Sequence, residues 1–133
     1  KNDFNWRKSK RNTSIQNIKL FLTDSKNIED LLPKEKISDF QSDELACSFK
    51  VQGGITISLV QNGVEANKIF LRSGEKSPFP FQLTIHLNFI EEHITEGHIE
   101  FDGEVNAFLK MMVEKPLMSL FNYMSKKLSS HFS

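Results

Sequence analysis

The chain has 133 residues, 38 % of them apolar, and twelve Phe residues supply enough large side chains for one substantial core. Seventeen basic residues balance seventeen acidic ones, so no global field points to nucleic acid or to an anionic membrane surface. A single cysteine, Cys47, excludes an internal disulfide framework, and no apolar run approaches the roughly 18–20 residues of a membrane span.

The charge balance is uneven along the chain. Residues 1–20 carry six basic side chains against Asp3, whereas Glu91–Glu104 holds six carboxylates and no Lys or Arg. The N-terminal stretch is polar and charged, with no visible signal segment, and one free thiol fits a reducing compartment. A cytoplasmic setting is therefore expected. No repeat, low-complexity stretch or linker divides residues 1–133, which read as a single domain.

In chain order, Phe4–Lys10 alternates weakly and reads as a first, edge strand. Thr13 or Ser14 offers an N-cap for a short amphipathic helix over Ile15–Leu22, with Ile15, Ile18 and Phe21 or Leu22 on one side. Asp24 or Ser25 caps a second short helix over Lys26–Leu32, and Pro33 stops it. From Ile37 the period changes to two. Ile37–Gln41 is a short strand, and Leu45, Cys47, Phe49 and Val51 then alternate with polar neighbours. Gly53-Gly54 signals a hairpin, followed by Ile55, Ile57 and Leu59, and Asn62-Gly63 signals another turn before Lys68–Arg72. The longest alternation is Phe79, Phe81, Leu83, Ile85, Leu87, Phe89. A polar turn is expected at Glu91–Gly97, ahead of Ile99, Phe101 and Val105. Such alternation predicts an antiparallel sheet with one dry face and one wet face.

Asn106–Leu128 alone sustains helical spacing over a long stretch. Leu109, Met112, Val113, Pro116, Leu117, Leu120, Phe121, Met124 and Leu128 recur at steps of three and four. Pro116 is expected to kink this segment or to start the main helix, which makes 107–113 a separate piece able to act as a gate. The fold class that follows is α+β: a curved antiparallel sheet of about seven strands wrapped on a long C-terminal helix, with two short helices after strand 1.

That order, together with Leu22-Thr23-Asp24, Asn27-Ile28-Glu29, Leu32-Pro33, Ala46-Cys47-Ser48-Phe49, Gly74–Phe79, Asn106–Met112 and Lys115-Pro116-Leu117, resembles the START-like (SRPBCC) superfamily. This is the polyketide-cyclase, ligand-transport and pollen-allergen group, and the likeness points to a small bacterial subgroup within it. One departure is the basic run Lys8–Arg11. The resemblance implies a helix-grip fold with an inner cavity that takes a hydrophobic molecule. It implies no universal catalytic motif, so no catalytic residue carries over from it; separately, no cofactor and no metal are expected.

The residues expected to line such a cavity are Phe49, Ile57, Leu59, Phe81, Ile85, Phe101, Phe108, Met112, Leu117, Phe121 and Met124. The same Met and Phe stripe equally suits a filled core, since Met adapts to irregular surfaces of either kind. The inner-face positions of Leu45–Leu59 and Phe79–Phe89 carry no ionisable group except Cys47, which reads as a buried structural thiol. That weakens acid–base catalysis, although Glu65, Arg72 and Glu114 sit near element ends that can reach a cavity mouth. His86, His98 and Glu100 share the polar face of neighbouring strands; cross-strand polar pairing is the reading preferred over a metal site. His93 and His131 suggest no site. Lys76–Phe81 reads either as a mobile lid or as a Pro-stiffened segment that sets strand register. Three functions follow: a binding domain for a small hydrophobic or amphipathic ligand, a polyketide cyclase or aromatase-like enzyme, and a protein-interaction domain with a filled core.

Overall fold

The computed structural model describes residues 2–9, 14–52, 54–92, 94–103 and 106–131, with 2–9 described as backbone. Lys10, Arg11, Thr13, Gly53, His93, Glu104 and Val105, which figure in the expectations above, lie outside the described residues. Strands β1 (Asn2–Ser9), β2 (Ile37–Ser42), β3 (Ala46–Val51), β4 (Ile55–Glu65), β5 (Lys68–Ser73), β6 (Phe81–Glu91) and β7 (Ile94–Gly103) form one sheet. Its order is β1-β7-β6-β5-β4-β3-β2, every pair antiparallel, so β1 and β2 form the two edges.

Helix α1 (Ile15–Leu22) and a 3-10 helix (Ser25–Leu31) link those edges. The Ser14 side chain accepts the Asn17 N–H at 3.1 Å, and the Asp24 carboxylate accepts the Lys26 N–H at 3.3 Å, which satisfies donors the helix starts leave free. Thr23 ends α1, and its hydroxyl donates to the Lys19 carbonyl at 2.7 Å. Ile18, Leu22, Ile28, Leu31 and Leu32 are buried, so both short helices close one side of the core.

Helix α2 (Ala107–His131) runs along β1 and against β7 and the 3-10 helix. The Asn106 side chain accepts the Leu109 N–H at 2.8 Å and caps its start. Val113, Leu117, Leu120, Phe121, Met124 and Leu128 are buried, a stripe one face wide. Pro116 sits inside this one continuous helix. Pro116 therefore does not start a separate main helix: it removes a single donor within α2, and Val113 and Leu117 on either side of it are buried.

Three local expectations need correction. Asn62-Gly63 is not a hairpin turn. Gln61 pairs with Leu71 and Val64 with Ile69, so two residues face Phe70 alone, and Gly63 takes φ +117 in this bulge. The turn comes later, at Ala66-Asn67, between the paired Glu65 and Lys68. The segment Glu91–Gly97 is not all turn either. Thr95 and Gly97 pair on both sides, with Phe89 and Leu87 of β6 and with Lys8 and Trp6 of β1, and polar composition does not prevent a strand flanked on both edges. Leu45 lies in the β2–β3 turn, 64 % exposed. The Asp43 carboxylate accepts the N–H groups of both Leu45 and Ala46 at 2.9 Å, which holds the turn and delays the strand to Ala46.

Candidate functional site

The dry face of the sheet and the stripe of α2 meet in a dense apolar core. Of the residues expected to line a cavity, Phe49, Ile57, Leu59, Phe81, Ile85, Leu117, Phe121 and Met124 are buried there, and Phe101 is partly buried against them. The Phe101 ring lies 5.4 Å from both the Phe81 and the Phe121 rings, and 6.3 Å from that of Phe79. Phe108 and Met112 are placed elsewhere. They are 71 % and 59 % exposed, because they project from the first turns of α2 on a face other than the buried stripe.

A hollow of about 300 Å³ opens where α2 meets the end of the 3-10 helix and the β3–β4 turn. Pro33, Val51, Pro116 and Leu120 give it an apolar floor, and Lys36, Gln52, Lys115, Ser119 and Tyr123 surround that floor with polar ends. Val51 and Leu120 also belong to the core, so the hollow reaches the seam between sheet and helix. Its wall is fixed by backbone. The Lys36 N–H donates to the Pro33 carbonyl at 2.8 Å, and the Gln52 N–H donates to the Lys36 carbonyl at 2.8 Å. On α2 the lining residues Pro116, Ser119 and Tyr123 recur at steps of three and four, and Met112 and Phe108 continue the same face toward the helix start. This second face escaped sequence reading because Lys115, Ser119 and Tyr123 break its apolar pattern. Its partners Pro33, Lys36 and Val51 come from distant segments.

A larger hollow, about 450 Å³, lies on the wet face between the β2–β3 turn and the loop after β5. Asp43, Arg72, Glu75 and Lys76 in its lining mix charges of both signs. Arg72 thus sits at the outer face, where its guanidinium donates to the Ser73 carbonyl at 3.3 Å, and Glu65 is exposed at the end of β4.

The other expected chemistry resolves locally. His86 and His98 pair across β6 and β7 with rings stacked at 4.4 Å, and His86 Nε2 is 2.9 Å from a Glu100 carboxylate oxygen. Among the described residues, no group of three His, Cys, Asp or Glu is arranged to hold a metal ion. The 74–79 segment is anchored. The Ser77 hydroxyl accepts the Ser58 N–H at 2.9 Å and donates to the Ser58 carbonyl at 3.1 Å, tying the segment to β4. Phe79 is buried against Phe81 and Phe101, which favours register setting over a mobile lid.

Cys47 is 3 % exposed, and its thiol is pushed up to about 12 by burial first and by the Asp43 charge second. It is a protonated core thiol at neutral pH, not a nucleophile. A thiol-reactive disulfide reagent at pH 8 is expected to label Cys47 negligibly in the folded protein and fully in urea; prompt labelling without urea would contradict this burial.

No protein-family model matches the chain, and no curated protein matches it. Solved structures are similar over nearly its whole length. A conserved protein from Geobacillus kaustophilus superposes with a TM-score of 0.71 at 13 % identity, covering 98 % of this chain and 93 % of that one. A START superfamily protein from Mycobacterium smegmatis gives 0.68 at 10 % identity, covering 98 % and 95 %. A norcoclaurine synthase point mutant from Thalictrum, solved with a transition-state analogue, gives 0.61 at 16 % identity, covering 99 % and 95 %. Among the described residues no helix is long and apolar enough to cross a membrane. A seven-stranded antiparallel sheet with two linking helices and a long C-terminal helix, similar to these structures over nearly its whole length, gives the chain the START-like, helix-grip fold.

Proposed function

We propose that this chain is a ligand-binding domain of the cytoplasm that holds a small hydrophobic or amphipathic molecule between the sheet and α2. The observation that carries this reading is the hollow at their seam, whose floor of Pro33, Val51, Pro116 and Leu120 is apolar and continuous with the core. Burial of apolar ligand surface, about 25 cal/mol per Å² before the costs of association, is the driving force. Its volume of about 300 Å³ suits one small molecule, at the low end of ordinary ligand sites. The norcoclaurine synthase likeness adds that this fold accommodates a bound small molecule in another protein. The cyclase alternative finds less support, since neither a carboxylate nor an imidazole lines the hollow.

Ser119 is exposed and lines the hollow, so Ser119→Trp fills it from the solvent side without disturbing the core. The expected result is at least a tenfold weaker binding of the neutral probe N-phenyl-1-naphthylamine, read by fluorescence, with an unchanged circular dichroism spectrum and Tm. Equal binding by the variant would remove this hollow as the site.

A further inference from the structure

The floor of the hollow selects for apolar surface, but its rim is chemically one-sided. Two lysines, Lys36 and Lys115, line it and no Asp or Glu does. Glu35 and Glu114 neighbour them in the chain yet do not line the hollow. Among the described residues neither lysine side chain is engaged in an ion pair or hydrogen bond, and the same holds for the side chains of Gln52, Ser119 and Tyr123. A cluster of donors beside a low-dielectric floor, with no counter-charge of its own, complements a negative group.

We propose that the ligand of this site is an anionic amphiphile: an apolar chain ending in a carboxylate or phosphate, its head held by Lys36 and Lys115. The inference rests on the binding reading above and adds the chemistry of the head. The tail covers Pro116, Val51 and Leu120, and exposed Met112 and Phe108 extend that apolar track one and two turns up the same face of α2. Phe108 to Pro116 spans about 12 Å at 1.5 Å per residue, a length suited to a medium alkyl chain. The second lysine matters because each exposed ammonium alone binds weakly in water, whereas two lysines lining one hollow beside an apolar floor can both attract the same anion.

The test is displacement of N-phenyl-1-naphthylamine by decanoate, decyl phosphate and decanol at low ionic strength, each below its aggregation limit. The proposal expects at least one of the two anions to bind tenfold or more tighter than decanol. It also expects that advantage to shrink several-fold in 0.5 M NaCl and to vanish in the Lys36→Gln, Lys115→Gln double variant. The tighter of the two anions identifies the head as carboxylate or phosphate. Decanol binding as tightly as both anions, or an anion advantage that survives in the double variant, overturns the anionic head while leaving the apolar site standing. Failure of the neutral probe and of all three competitors to bind overturns the site reading together with it.

Discussion

Replacing Phe121 with alanine is expected to cost about 3–5 kcal/mol of folding stability, the largest loss of any single change considered for this protein. Phe121 is 1 % exposed and joins α2 to the sheet, its ring 5.4 Å from that of Phe101. Phe101 in turn lies 5.4 Å from Phe81, and Phe81 lies 5.7 Å from Phe79. Truncation removes the helix-borne member of this cluster and leaves a hole that its neighbours, held by strand pairing, cannot close. A domain of this size has about 5–15 kcal/mol in total, so the variant should unfold at a much lower urea concentration with an unchanged m-value. Phe108→Ala is the matched control: a residue 71 % exposed should change stability by no more than about 0.5 kcal/mol. A Phe121→Ala loss under about 1 kcal/mol would mean that the cluster does not clasp helix to sheet.

The second large effect is expected at Gly74, where β5 ends and the chain folds back onto β4. The Gly74 N–H donates to the Ser58 carbonyl at 3.0 Å. A Cβ at this position would collide with the Ser58 hydroxyl and lie 3.0 Å from Ser58 Cβ and 3.2 Å from Val60 Cγ2. The Ser58 hydroxyl must turn away about χ1 inside a buried site, and Ser58 Cβ, carried by a backbone that Ser77 clamps, still crowds the added methyl. Gly74→Ala should therefore cost about 1–3 kcal/mol, read as a lowered Tm. Ser58→Ala removes the oxygen that collides first and should recover part of that loss. Strict additivity of the two substitutions in a double-mutant cycle would show that the clash is not the cause.

The two faces of α2 meet different surroundings. Leu117, Phe121 and Met124 point into the core and hold the helix; Pro116, Ser119 and Tyr123 line the hollow beside it.

Local signals were legible wherever a few neighbouring residues decide the outcome. Ser14 and Asp24 cap the two short helices as their side chains predict, Pro33 follows the second, and the period-two runs of β3 and β6 place Phe49, Phe81, Leu83 and Ile85 on the dry face. The long stripe ending at Leu128 required a partner sheet, and the strands before it supplied one. Signals shared by two structures could not be separated locally. Asn-Gly suits both a two-residue turn and a bulge, because both need positive φ, and the pairing of Val64 with Ile69 selected the bulge. Polar residues at Glu91–Gly97 looked like a loop until β1 paired along their free edge. The same limit governs the site. Apolar spacing grouped Phe108 and Met112 with the core stripe, yet only the docking of α2 on the sheet decides which face is covered, and it leaves these two exposed. The hollow joins Lys36, Val51 and Lys115 from segments far apart in the chain. Periodicity reports which residues share a face of one element; which faces meet, and where they part to leave a hollow, is set by packing between elements.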